Sequence, residues 1–142
     1  MKTVLLLSMF FVNAAFTSTN ADAIVGVWKN GSGKGHIQIF KQEGKYFGKI
    51  IWLKDNKDLE GKPKMDKKNT DPQKRNRPII GMIMMRDFRY NGGEWNNGRI
   101  YNPSDGKEYK AYLKLNENNT LAVRGYMGIS LLGKTDTWTR VK

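Results

Sequence analysis

Two-residue alternation, interrupted by glycine- and asparagine-rich turns, constrains this chain more than any other feature. Across residues 108–115, Tyr109, Ala111, Leu113 and Leu115 fall on one side and Glu108, Lys110, Tyr112 and Lys114 on the other. Successive side chains of an extended backbone point to opposite faces, so this is the pattern of a half-buried strand. Residues 35–41 alternate less cleanly, with Ile37 and Ile39 set against His36, Gln38 and Phe40. Residues 46–53 and 79–85 are apolar on both sides. Their β-branched content, with Pro78 and Gly81 at the second, predicts strands covered on both faces. Between the runs stand Asn30-Gly31-Ser32-Gly33, Glu43-Gly44, Asn91-Gly92-Gly93, Asn96-Asn97-Gly98, Pro103-Ser104-Asp105-Gly106 and residues 116–119. Gly and Asn tolerate the positive φ of tight turns. Turns recurring every 8–12 residues or so predict an all-β sandwich or barrel. No stretch shows sustained helical periodicity, and there is no internal repeat.

The first 23 residues read as a secretory leader. Lys2 precedes the apolar run of residues 4–16, and Ala21-Asp22-Ala23 supplies the small residues that a signal peptidase accepts. That run is shorter than the roughly 20 residues that a membrane-spanning helix needs. Cleavage after Ala23 is expected to leave one domain, residues 24–142, periplasmic or secreted. The chain has no cysteine, so disulfides, a thiol nucleophile and Cys-type zinc sites are excluded and the domain depends on packing.

The net charge is +12. Divided at Leu53 and Arg77, residues 24–142 give three pieces of +4 each. Charge so evenly spread predicts a generally basic surface and no specific nucleic-acid site, which would need a patch or stripe. Residues 54–77 are polar, charged and almost free of apolar side chains. A loop this long is either solvated and irregular or an ordered binding element.

Several ordered motifs are recognisable. Gly26-Val27-Trp28 opens the domain and Trp138-Thr139-Arg140 closes it. Between them lie Gly48-Lys49-Ile50-Ile51-Trp52-Leu53, the loop from Asp66 through Asn69-Thr70-Asp71-Pro72, Arg77-Pro78-Ile79-Ile80-Gly81, Gly98-Arg99-Ile100-Tyr101-Asn102-Pro103, Asp105-Gly106-Lys107 and Arg124-Gly125-Tyr126-Met127-Gly128-Ile129-Ser130. In this order they resemble the exported bacterial family called domain of unknown function 2147, over essentially all of residues 24–142. The resemblance implies a small lipocalin-like antiparallel β-barrel of about eight strands. It carries over no catalytic residue. In such a barrel Trp28 would plug one end and Arg140 would stack on its face, within about 6 Å of the indole centroid. Arg124 is the second candidate partner.

The chemistry narrows to binding. His36 is the only histidine, and no nucleophile-elbow motif surrounds Ser32, Ser104 or Ser130. Asp71, Asp87, Glu94 and Asp105 are candidates for paired-carboxylate hydrolysis by residue type alone. Asp66, Asn69 and Asp71 offer oxygen ligands at i, i+3 and i+5, but two lysines lie among them and turn formation accounts for them as well. The strands are too short and lysine-studded for an outer-membrane barrel. No catalytic residue, metal or cofactor is therefore expected, and the domain is expected to be a monomer. An amphipathic or anionic small molecule inside the barrel is the favoured partner. Trp52, Tyr101, Tyr126 and Trp138, with Met82 and Met84, would line its site, and Arg99 and Arg124 would hold an acidic head group. A filled interior is the competing expectation, with the basic exterior binding polyanions at the cell envelope.

Overall fold

The structure, a computed structural model, describes residues 20–126 and 135–141. Eight antiparallel strands close into a barrel in simple sequence order. They are β1 (Gly26–Lys29), β2 (Gly35–Gln42), β3 (Lys45–Leu53), β4 (Ile83–Asn91), β5 (Glu94–Asn102), β6 (Lys107–Leu115), β7 (Thr120–Tyr126) and β8 (Thr135–Arg140). Pairing of β1 with β8, Trp28 opposite Arg140 and Lys29 opposite Thr139, completes the ring.

The two ends of the barrel differ. At the floor, two-residue hairpin turns join β2 to β3 and β4 to β5. Positive φ at Glu43, Gly44, Gly92 and Gly93 matches such turns to the twist of the strands. The mouth carries the loop after β1, the long β3–β4 excursion and the β5–β6 turn. The β7–β8 connection, residues 127–134, lies outside the described residues.

Below mid-height the barrel is solid. Trp28, Ile39, Tyr46, Met85, Phe88, Trp95, Leu113 and Leu121 are all buried there. Gly48 and Gly98 make room for this filling. A Cβ on Gly48 would collide with the Met85 side chain, and one on Gly98 with the Phe88 ring. A short 3-10 helix, Ala21–Ile24, lies across the floor. The indole N–H of Trp28 donates to the Ile24 carbonyl at 2.8 Å, and that of Trp95 to the Ala21 carbonyl at 2.9 Å. Arg140 donates to the carbonyls of Ala23 and Val25, at 2.6 and 3.3 Å. Its guanidinium carbon sits 4.2 Å from the Trp28 ring centroid, inside the range of a cation–π contact. Paired residues on neighbouring strands share a face, and this places Arg140 under the indole. Residues 21–23, which fall inside the expected leader, thus pack as part of the floor.

Two segments differ from the sequence reading. Asn96-Asn97-Gly98 is not a turn between strands but an irregularity within β5, with Asn97 at φ 59°. Residues 79–82 belong to the excursion and β4 begins only at Ile83, so the excursion runs from Lys54 to Met82. It is ordered. The bridges Lys57–Pro63 and Met65–Pro78, with Ile79 N–H donating to Lys64 O at 3.0 Å, fold it into a layered flap.

Candidate functional site

Above the solid floor the barrel is open. A cavity of about 920 Å³ descends from the mouth. Its wall is formed by Ile37, Ile50, Met84, Ile100, Val123 and Trp138, and its rim by Asn30, Lys34, Asp55, Lys64, Lys68 and Ser104. The space exists because small residues occupy inward positions near the mouth. A Cβ on Gly125 would meet only the Tyr109 Cβ, at 3.8 Å. Both expectations for the interior therefore hold, at different heights: large side chains fill the lower half and a cavity occupies the upper.

The flap roofs part of this cavity, contributing Lys64, Lys68 and Ile79 to its lining. It is pinned by Asp66, which is 2% exposed. The Asp66 carboxylate accepts from the Tyr101 hydroxyl at 2.6 Å and from the Asn69 side-chain amide at 2.8 Å. Burial, and then the adjoining Asp66 carboxylate, push the Tyr101 phenol well above its ordinary range, so it stays a donor. Lys68 donates to the Ser104 carbonyl at 2.8 Å. Its own carbonyl lies so close to Gly106 that no Cβ would fit there. Across the mouth, Asp136 accepts from the Gly31 N–H at 3.2 Å and the Trp138 indole N–H at 2.8 Å, fixing the β1–β2 loop and the indole together.

Of the residues expected in a binding site, Tyr101 and Trp138 stand on the cavity lining. Trp52 does not. Ile37 pairs with Ile50 while His36 pairs with Trp52, so Ile51 is an extra residue, a β-bulge. The bulge shifts the phase of the strand. Leu53 takes an inward position and Trp52 turns outward, 40% exposed, with its ring 4.5 Å from that of His36. Arg99 lies on the outer wall, paired with Arg86 and Lys110 on the neighbouring strands. Glu108 stands beside this row, bonded to Arg86 at 2.5 Å and 3.7 Å from Arg99, and Asp87 pairs with Arg86 at 2.8 Å, so the row is partly neutralised. Arg124 alternates with the inward Val123 and Gly125 and so shares the outer face with its partner Tyr112. Tyr126 ends β7 opposite Lys110, and its side chain lies outside the described residues. Met84 lines the cavity, and Met82 is not on its lining. The cavity residues that periodicity did not single out are the rim lysines Lys34, Lys64 and Lys68, which come together only when the flap folds back.

Of the four carboxylates considered for hydrolysis, Asp71, Asp87 and Asp105 have structural partners. Asp71 accepts from Gln73 N–H and caps a 3-10 turn, Asp87 pairs with Arg86, and Asp105 accepts from Lys107 N–H and the Tyr109 hydroxyl. Asn69 accepts from Asp71 N–H at 2.9 Å, so Asp66, Asn69 and Asp71 are engaged in turn and flap contacts. Among the described residues no three His, Cys, Asp or Glu side chains cluster as metal ligands. No described helix is long and apolar enough to cross a membrane.

Comparison with known proteins agrees with this geometry. Residues 26–140 match the model of a family described as "Uncharacterized protein conserved in bacteria (DUF2147)". No curated protein matches. Among solved structures, the chain is similar to protein HP1028 from the human pathogen Helicobacter pylori, which is described as belonging to the lipocalin family. The TM-score is 0.71 at 28% identity, covering 83% of this chain and 82% of that one.

Proposed function

We propose, for a chain that belongs to the DUF2147 family and shares a lipocalin-like barrel, that it is a non-enzymatic binding protein for a small amphipathic molecule. The observation that carries this is the cavity itself: an apolar wall beneath a rim bearing three lysines. Lipocalin-type eight-stranded barrels can hold one small ligand. Sites of this size typically combine apolar lining with a few orienting polar groups. The apolar body of the ligand lies against Ile37, Ile50, Ile100, Val123 and Trp138. An acidic or polar head group meets Lys34, Lys64 and Lys68, in place of the outward Arg99 and Arg124. The leader-like N-terminus supports action in the periplasm or medium.

Native mass spectrometry of protein purified from its own host is the direct test. An added mass is expected, lost on organic extraction and absent from a Gly125→Leu variant, whose side chain enters the cavity. Only the apo mass from host-purified protein, with no uptake of fluorescent fatty acid by extracted protein, would sink the proposal. Cell fractionation tests the location, and a cytoplasmic pool alone would contradict it.

A further inference from the structure

Among the described residues five large apolar side chains are exposed, and three of them, Trp52, Leu59 and Ile83, flank the mouth. Trp52 is the penultimate residue of β3, and Ile83 is the first of β4, opposite Lys49. Leu59 is fully exposed at the tip of the flap. That tip is firmly built. The Lys57–Pro63 bridge closes it, Asp58 N–H donates to the Lys62 carbonyl at 2.8 Å, and the Asp58 carboxylate accepts from the N–H groups of Glu60 and Lys62, both at 2.9 Å. These bonds hold the Asp58 carboxyl below its usual range, the Lys62 N–H foremost. Nothing inside the protein uses Leu59, yet the chain holds it rigidly outward.

The surroundings of these residues carry both signs of charge with a basic excess. Lys49, Lys54, Lys57 and Lys62 adjoin them in sequence, Asp55, Asp58 and Glu60 lie among these, Lys62 pairs with Glu60 at 3.5 Å, and residues 54–77 as a whole carry nine basic against five acidic side chains. An ordered apolar tip, an outward tryptophan and flanking lysines suit the boundary between lipid headgroups and acyl chains. There, indole rings settle at headgroup level, aliphatic side chains enter the apolar layer and lysines meet anionic phosphates.

We infer that the mouth of the barrel docks on an anionic phospholipid surface through Leu59, Trp52 and Ile83, with the flap lysines facing the headgroups. The docking geometry stands independently of the cavity. Its purpose, exchange of an amphipathic ligand between membrane and barrel, rests on the proposed function.

Trp52 makes the experiment specific. It is the one exposed tryptophan among four, since Trp28, Trp95 and Trp138 are buried. The full chain is mixed with vesicles of phosphatidylglycerol and phosphatidylcholine, or of phosphatidylcholine alone, with bromine on the upper acyl chain. Sedimentation with the anionic vesicles, quenching of tryptophan emission and loss of both in high salt are expected. Leu59→Gln changes no charge and no buried contact, Trp52→Gln changes no charge and gives up the ring contact with His36, and each is expected to weaken sedimentation about tenfold or more. Circular dichroism verifies that both variants are folded. Sedimentation unaltered by these substitutions, or no binding to anionic vesicles, would overturn the inference and leave the exposed residues to a protein or glycan partner. Gly125→Leu separates the two ideas: it is expected to abolish ligand uptake and leave vesicle binding intact.

Discussion

The indole N–H of Trp95 donates to the carbonyl of Ala21, 74 residues away in sequence, at 2.9 Å. Trp95 is completely buried, so this carbonyl is what replaces water for a donor at the bottom of the barrel. Asp22 adds to the same closure. It accepts from the Tyr46 hydroxyl at 2.5 Å and pairs with Lys41 at 3.1 Å. Three residues that resemble the end of a leader are therefore part of the floor.

A chain with this floor is accordingly expected to retain Ala21, with any leader cut on its N-terminal side. N-terminal sequencing of the protein purified from its own host checks this, and a start at Ile24 would contradict it. A recombinant chain starting at Ile24 is expected to be less stable than one starting at Asn20 by about 2 kcal/mol or more, because a buried donor loses its acceptor. For a domain of this size that lowers the melting temperature by roughly 8 °C or more.

The Tyr101 hydroxyl is expected to act as the catch of the flap. Tyr101→Phe leaves the buried Asp66 carboxylate with Asn69 as its remaining side-chain donor. A loss of about 1–3 kcal/mol is expected, confined to the flap because the barrel strands do not depend on it. Hydrogen exchange should speed up at the N–H groups of Lys64, Asp66 and Ile79 while β6 and β7 stay protected. Unchanged protection at those three amides would mean that other contacts hold the flap.

Stability should fall on the alkaline side. Burial, then hydrogen bonding to a carboxylate, raise the phenol pKa of both Tyr46 and Tyr101. Above about pH 10 the unfolded chain releases these protons while the folded chain keeps them, so the unfolded state is favoured progressively as pH rises. Asp22 acts at the other end. Its carboxyl is lowered by the hydrogen bond from Tyr46 and then by Lys41, so its contribution is present above about pH 4 and lost as pH falls further. Denaturant midpoints measured across pH check both limbs, and Tyr46→Phe should flatten each of them.

Gly98 and Phe88 are coupled. Gly98→Ala places a methyl group inside the Phe88 ring, and a cost of about 1–3 kcal/mol from overpacking is expected. Phe88→Leu alone should also destabilise, by opening space. The double variant should be more stable than the sum of the two losses predicts, and a strictly additive result in chemical denaturation would show that the collision is relieved elsewhere.

An all-β sandwich or barrel was legible because strand alternation and turn chemistry are local signals. The choice of a barrel, and with it the Trp28–Arg140 pair, came from the family resemblance. The cavity lining was less so, since inward and outward are decided by pairing register. Arg99 and Arg124 have the right chemistry for an anionic head group and the wrong strand phase, while Lys64 and Lys68 sit in a polar segment with no periodicity. The order of that segment rests on Asp66 meeting Tyr101, 35 residues apart, a contact that no local pattern announces.

The bulge at Ile51 makes chain length, as much as residue identity, a determinant of what the mouth presents. One additional residue in β2 between His36 and Ile37 would give Ile51 a cross-strand partner and restore strict alternation. The same rotation would carry His36 and Trp52 inward and turn Gly35 and Leu53 out. A single-codon insertion would thus replace an aliphatic entrance with an aromatic one, and would withdraw the tryptophan from the outer surface, with every existing side chain unchanged.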